Sequence, residues 1–449
     1  MEVRKIARII FCLWIVAMFV VWSIYRNEPQ CIDACRFVRN AVNNYNNGTL
    51  YPSRIDLYQD YITAVGYSNL LQLIHVIFGR LGWMQFVNMA MNIGIVCEMY
   101  YIAWRLFSPA TGYIAVSLYC LMTTNIFPFL QLVTEIPYLF FAMSGFALCL
   151  RALQFSASTS RVVVLFVVAG ISFGIAHTMR PLELAFLVPV VGYVIYATAK
   201  AGLRKVRVVA NCMAVLLPYF ILLFGVGMYF KAQTGVFING SMTGWYNFVR
   251  AADPKSPISS GWTSQYEKGG IAYIPHWERH TVVERNNVFR DSSLKWLEQH
   301  PFKFTAIFAI RAAKLWGADY FYIPNITGYD DKVADEAMPN PSRALIIRRV
   351  VEIGYSFVWY ATLLLCVMSL MRFIRKKKFG DDNQQSASYW LLLSVLILGT
   401  IGTALFPVEV RYHYPYTWAM TILGAESIRE LVMRRKVKKQ NSSNHQTRA

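Results

Sequence analysis

Charged residues are scarce in this chain. Asp, Glu, Lys and Arg make up 15% of its 449 residues, where soluble domains carry about 25%. Hydrophobic residues make up 56%, and the mean hydropathy is +0.36. A chain so poor in polar surface is no ordinary soluble enzyme; its main solvent is lipid. Acidic residues are the scarcer sign, with 25 Asp and Glu against 44 Lys and Arg, for a net charge of +19. That excess does not make a nucleic-acid binder, because the basic residues gather at the ends of apolar runs, as at Arg375, Lys376, Lys377 and Lys378 and at Arg434, Arg435 and Lys436. Anionic lipid headgroups are the natural partner of that pattern. Metal-type Cys/His arrays are missing too. Of eight cysteines, most stand singly in apolar runs (Cys97, Cys120, Cys149, Cys212, Cys366) and read as small buried hydrophobes. Only Cys31 and Cys35 share a loop, where an extracytoplasmic setting permits a disulfide. No internal repeat is visible.

What the chain has instead is a series of apolar runs of membrane length, about 20 residues each. Ten candidate spans cover residues 6–25, 85–107, 109–127, 131–150, 162–179, 182–199, 208–230, 350–373, 389–406 and 414–428. The first follows Arg4 and Lys5 and has a longer apolar core than a signal peptide, so it reads as an uncleaved anchor. If the N-terminus is inside, the inside segments are those near Arg105, at 151–161, 200–207 and 372–378, and from Arg429 onward. Each carries Lys or Arg, and most carboxylates fall on the other side, so both termini are expected in the cytoplasm. The expected fold class is an all-α polytopic membrane protein with about ten transmembrane helices, interfacial helices and a long extracytoplasmic loop. An N-terminal membrane module covers 1–230, with its first outside loop at 26–84. An extracytoplasmic cap segment covers 231–349, C-terminal spans 350–432, and a basic cytoplasmic tail 433–449. Residues 61–79 read as helix on or in the interface. Residues 302–315, interrupted by Arg311 and Lys314, read as an amphipathic helix at the outer interface.

Ionisable groups at membrane depth are costly and commonly functional. The topology sets such groups at the outer ends of spans. Asp33 follows the first span. Glu135, in Thr134-Glu135-Ile136-Pro137, opens the fourth. Arg180, in Arg180-Pro181-Leu182-Glu183, joins the fifth and sixth. Glu409 and Arg411, followed by Tyr412, join the last two. Taken singly, such residues commonly snorkel to headgroups; their joint occurrence on one face gives them weight. A glycosyl phosphate needs cations to hold its departing phosphate, which Arg does with a bidentate fork. The incoming hydroxyl or amine needs a carboxylate base. His276 and His280 share a helix-face spacing, but their order is not the His-Glu-x-x-His of zinc proteases, and a solvated loop is the expectation. Asn47-Gly48-Thr49 and Asn325-Ile326-Thr327 fit the glycosylation sequon. Trp83, Trp245, Tyr246, Trp262 and Trp316 fall in or beside outer loops, suited to an interfacial belt or to stacking on a sugar.

The pattern resembles the type C glycosyltransferases, and more narrowly the bacterial family related to protein O-mannosyltransferases and the lipid A aminoarabinose transferase. Asp33-Ala34-Cys35-Arg36-Phe37 with Ala41, and Gly48-Thr49-Leu50-Tyr51-Pro52, resemble that family's first outside loop. Leu106-Phe107-Ser108 with Thr134-Glu135-Ile136-Pro137, then Arg180-Pro181, Trp245-Tyr246-Asn247, His300-Pro301 and Glu409-Val410-Arg411-Tyr412, follow in the family's order. The sequence departs in having Ala34 where many relatives carry a second acidic residue, and Phe37 where a Tyr is common. The resemblance implies an enzyme of the bacterial inner membrane. It would move a sugar from a polyprenyl-phosphate donor to an extracytoplasmic acceptor. Asp33 would be the catalytic base, Arg180 and Arg411 would hold the donor phosphate, and Glu135, Glu409 and Tyr412 would support them. No metal ligand is assigned, and a divalent metal cofactor stays open. A transporter or flippase of lipid-linked or polar solutes, and an oligosaccharide polymerase or ligase, are the alternative classes.

Overall fold

The computed structural model describes residues 2–26, 33–154, 159–252, 258, 268–319, 341–377 and 384–446, and no strand occurs among them. The protein is an all-α polytopic membrane protein. Every candidate span falls on a helix: α1 (Glu2–Tyr25), α4 (Leu81–Leu106), α5 (Pro109–Leu121), α6 (Glu135–Ala152), α7 (Thr159–Met179), α8 (Leu184–Lys200), α9 (Lys205–Thr234), α13 (Pro341–Lys377), α14 (Gln384–Ala404) and α15 (Tyr414–Gln446). Helix is the form such runs must take, because lipid offers no partner to an unpaired backbone group. Seven of the ten (α1, α4, α6, α7, α9, α13 and α14) are long and apolar enough to cross a membrane.

The other three depart from the simple reading for physical reasons. Residues 109–127 are not one helix: α5 stops at Leu121 and Thr123–Ile126 form a 3₁₀ turn. The side chain of Asn125 there donates to the Tyr119 carbonyl at 3.0 Å, and Pro128 follows. The helix α8 has 17 residues. In α15 the apolar start runs into a charged end from Glu426 onward. Close approach between spans relies on glycine. A Cβ on Gly170 would meet the Val215 carbonyl oxygen at 2.1 Å, so α7 and α9 touch backbone to backbone there.

Between α1 and α4 lie α2 (Asp33–Asn46) and α3 (Val65–Phe78), too short to span. In α2, Ala34, Phe37, Ala41 and Asn44 are buried; their spacing makes one helix face. Phe37 packs edge-on against Tyr67 of α3. Asn69 pins the intervening loop by bonding both the amide and the carbonyl of Tyr51, at 3.0 and 2.7 Å. The segment after α9 contributes α10 (Gly244–Ala252), α11 (Val282–Gln299) and α12 (Pro301–Leu315). This segment closes over the first loop. Met242 donates its amide to Ile62, Val65 donates to Gly240, and fully buried Arg285 donates to the carbonyls of Tyr58 and Gln59 at 2.8 and 2.7 Å.

Residues 302–315 do form a helix, but its inward residue is the arginine. Arg311 is buried with Ile307 and Leu315, while Phe302 is 90% exposed. The Arg311 guanidinium donates to the carbonyls of Ala251 and Leu405, so it ties α12 to α10 and to the end of α14. A guanidinium buried this way satisfies backbone acceptors, which an aliphatic residue could not.

Candidate active site

Two carboxylates sit at helix starts on one end of the bundle. Asp33 is the first residue of α2 and Glu135 the first of α6. A helix N-terminus favours a negative charge. The matching cations come from corners. Pro181 cannot continue α7, and the chain turns there with Arg180 at the bend. Arg411 lies in the 3₁₀ turn Val410–His413, just before α15; buried His413 fixes that turn through Nδ1 against the Leu315 carbonyl at 2.9 Å.

These four residues form one continuous ionic chain. Arg411 Nη2 donates to Asp33 Oδ2 at 2.7 Å. Its Nε lies 3.8 Å from Glu135 Oε1. The same Glu135 oxygen is 2.9 Å from Arg180 Nη1. Tyr412 lies beneath both cations, its ring 4.8 Å from the Arg180 guanidinium carbon and 5.4 Å from that of Arg411. Burial works against the Arg180 charge, but Glu135 and Tyr412 offset it and hold its pKa above the ordinary guanidinium value. The chain is open at one end. Glu135 is 2% exposed, whereas the Asp33 side chain is 33% exposed. Among the described residues, Asp33 Oδ1 accepts no hydrogen bond.

Asp33, Glu135, Arg180, Arg411 and Tyr412, far apart in sequence, thus meet at one place. Glu409 opens the same turn, with its carbonyl accepting the Tyr412 amide at 3.0 Å. Cys35 is exposed on α2; Cys31, Trp262 and the Asn325 sequon lie outside the described residues. Tyr246 is buried, and Trp316 stacks on Trp359 and His413. The described residues hold no group of three His, Cys, Asp or Glu suited to a metal ion.

Sequence reasoning passed over three features nearby. Glu183, fully buried at the start of α8, bonds His177 Nδ1 at 2.9 Å and the Tyr219 hydroxyl at 2.6 Å. This clamp closes the corner that carries Arg180. Gly66 of α3 seats against Thr178 in that corner, where an added Cβ would meet the Thr178 side chain at 2.1 Å. Arg36 lies one turn beyond Asp33, on the same face of α2, a spacing visible in the sequence.

The fold and site define a polytopic helical membrane protein with a charged cluster at one end of its bundle. No family model matches the sequence, and no curated protein matches it. Among solved structures it is similar to the apo Archaeoglobus fulgidus oligosaccharyltransferase, at 12% identity and TM-score 0.49, over 97% of this chain and 52% of that one. It is similar to AglB of the same organism in complex with an inhibitory peptide and a dolichol-phosphate, at 11% identity and TM-score 0.48, over 98% and 52%. ArnT from Cupriavidus metallidurans bound to undecaprenyl phosphate is a further neighbour, at 12% identity and TM-score 0.36, over 93% and 77%. The chain spans about half the length of the archaeal oligosaccharyltransferases it matches. At these identities and TM-scores the likenesses carry no argument about this chain, and the chemistry rests on its own residues.

Proposed function

We propose that this chain is an integral-membrane glycosyltransferase that moves a sugar from a polyprenyl-phosphate donor to an acceptor on the extracytoplasmic face. The observation that carries the reading is the ionic chain Asp33–Arg411–Glu135–Arg180, open at Asp33. Its two guanidinium groups suit a departing phosphate, and the free oxygen of Asp33 suits a proton acceptor.

The chemistry balances without a further group. The acceptor hydroxyl or amine gives its proton to Asp33 Oδ1 as its oxygen or nitrogen bonds the anomeric carbon. The bond from that carbon to the phosphate oxygen breaks, and the electron pair leaves with the phosphate. Arg411 and Arg180 hold the negative charge that develops there. Arg411 is shared: a phosphate that draws it away from Asp33 Oδ2 makes Asp33 a stronger base. Glu135 keeps both cations aimed, and Tyr412 supports them from below.

A groove of about 480 Å³ between α8 and α14, lined by Val188, Gly192, Tyr196, Trp390 and Ile397 among others, suits the apolar tail. At their site end these two helices lead toward Arg180 and the Glu409–Arg411 turn, an arrangement that supports a tail in the groove with its phosphate at the cluster. The inner membrane of a bacterium, with both termini cytoplasmic, is the setting that fits the basic loops. The test is mass analysis of lipid-linked sugars and envelope glycans in cells with and without the gene. Accumulated polyprenyl-phosphate sugar beside an under-modified acceptor supports the reading; unchanged pools of both contradict it.

A further inference from the structure

Each arginine of the site stands on a turn that a histidine–carboxylate pair pins. Beside Arg180 the pair is His177 and Glu183, with Nδ1 2.9 Å from Oε1. Beside Arg411 it is His413 and Asp319, with Nε2 3.4 Å from Oδ1. The two pairs differ in the protons they need. A neutral imidazole has one N–H and one acceptor nitrogen. His177 needs only that one N–H, which it donates to Glu183. His413 uses its Nδ1 on the Leu315 carbonyl at 2.9 Å. A carbonyl can only accept, so the one proton of a neutral ring is already placed there. Nε2 then turns a lone pair toward Asp319, and the contact attracts only when a second proton lies on it.

The surroundings favour that second proton. His413 and Asp319 are both buried, and buried charges are kept in pairs. The His413 ring packs against the indoles of Trp316 and Trp359, at 6.0 and 5.2 Å between centroids, and an indole face attracts a cation. Asp319 is itself fixed. Its Oδ2 accepts from the Thr124 hydroxyl, and its amide donates to Ser356 Oγ at 2.9 Å. The pair therefore ties the turn before α15 to the end of α12, to α13 and to the 3₁₀ turn after α5. Neighbouring elements bring Tyr119 of α5 and Tyr414 of α15 toward it, with their hydroxyls bonded at 2.9 Å. Both phenols feel the Asp319 charge, and Tyr414 feels Glu135 as well. Arg411 and Tyr412 share the turn. Phenols ordinarily ionise only near about pH 10, which leaves the imidazole as the group of this set that changes charge nearest neutral pH.

We propose that His413 is a positioning residue for Arg411 and that it works as an imidazolium held by Asp319. Arg411 lies two residues away on the same 3₁₀ turn. With both ring protons in place, the turn is held and Arg411 meets the donor phosphate. Loss of the Nε2 proton sets a lone pair against the carboxylate and loosens the turn. This rests on the reading of Arg411 as a holder of that phosphate. The sign follows: the hold is present while the second proton is bound and is lost as pH rises past its release.

The ring protons are read by solid-state NMR on the full-length protein in phosphatidylcholine vesicles, with isotope labels in the histidine rings and the leucine carbonyls. The bond to Leu315 marks His413 among the seven histidines. At about pH 7.5 an unpaired imidazole mostly holds one ring proton; His413 is expected to hold two, and to keep only the Nδ1 proton at higher pH. Undecaprenyl phosphate affinity, measured on the same vesicles, is expected to fall about tenfold as that second proton leaves. His413→Gln should bind about tenfold more weakly at about pH 7.5 and lose the pH response, whereas His177→Gln keeps the response. Asp319→Asn takes the anion from the imidazolium, so proton loss and affinity loss should both move to lower pH; it decides if His413→Gln does not fold. A single ring proton on His413 at about pH 7.5 overturns the imidazolium. Unchanged affinity and pH response in a folded His413→Gln protein overturns the positioning role. Binding of undecaprenyl phosphate by the unaltered protein, measured first, tests the donor reading separately, since the ring protons are read without ligand.

Discussion

Two Arg–carboxylate networks lie at opposite ends of the bundle, and they are built differently. At the far end, Glu426 of α15 is fully buried. It accepts four hydrogen bonds, from Thr111, Gln385 and twice from Arg429, at 2.8, 3.1, 2.8 and 2.6 Å. Every direction in which that carboxylate can accept is filled. At the near end, Asp33 is one-third exposed, is held through one oxygen, and shares its arginine with Glu135. A saturated, closed network of this kind joins helices: Glu426 links α5, α14 and α15. An open one has capacity left for a ligand. The two use the same residue types, so composition alone does not tell scaffold from site; the degree of satisfaction does.

Substitutions at the two ends separate scaffold from site. Glu426→Ala removes the fully buried carboxylate that Thr111, Gln385 and Arg429 share and leaves their donors unsatisfied, and is expected to cost about 3 kcal/mol of stability. Thermal unfolding in detergent should show this, with the activity of the remaining folded protein unchanged. Arg411→Gln should behave in the opposite way, with transfer from a polyprenyl-phosphate sugar falling about a hundredfold and a smaller change in Tm. Arg180→Lys keeps the charge but loses the fork, so it should lower transfer about tenfold, read as the rate at fixed donor concentration. Ser108→Ala removes the side chain that caps α5 by accepting from the Thr111 amide at 3.2 Å. Its expected cost is about 1 kcal/mol, again visible in Tm and not in rate. If the far-end variants lowered rate and the near-end ones lowered only stability, the assignment of scaffold and site would be reversed.

Much of this was legible in the sequence because lipid imposes strong rules. Each of the ten apolar runs falls on a helix, though 109–127 breaks after Leu121, and the placement of Lys and Arg groups Asp33, Glu135, Arg180 and Arg411 at one end. Pairing was not legible. Nothing in the local sequence says that Arg411 meets both Asp33 and Glu135, since that depends on how α2, α6 and the turn before α15 pack. Arg311 shows the same limit. Its place in residues 302–315 suggested a polar face, yet it points inward, because the carbonyls of Ala251 and Leu405 need donors and only the fold brings them there. The break after Leu121 was written in Asn125 and Pro128, but the apolar content of residues 109–127 masked it. Tyr246 read as a surface aromatic; its burial against Tyr61 follows from a contact between segments nearly two hundred positions apart.

In the proposed reaction Asp33 and an incoming phosphate compete for Arg411, and Asp33 then takes the acceptor's proton. Asp33→Asn tests both parts in one variant, with transfer and undecaprenyl phosphate affinity measured on the same preparation. Transfer is expected to fall by about 10²–10⁴-fold, while phosphate affinity holds or rises because Arg411 has lost its competitor. Full transfer activity in a folded Asp33→Asn protein would contradict the account.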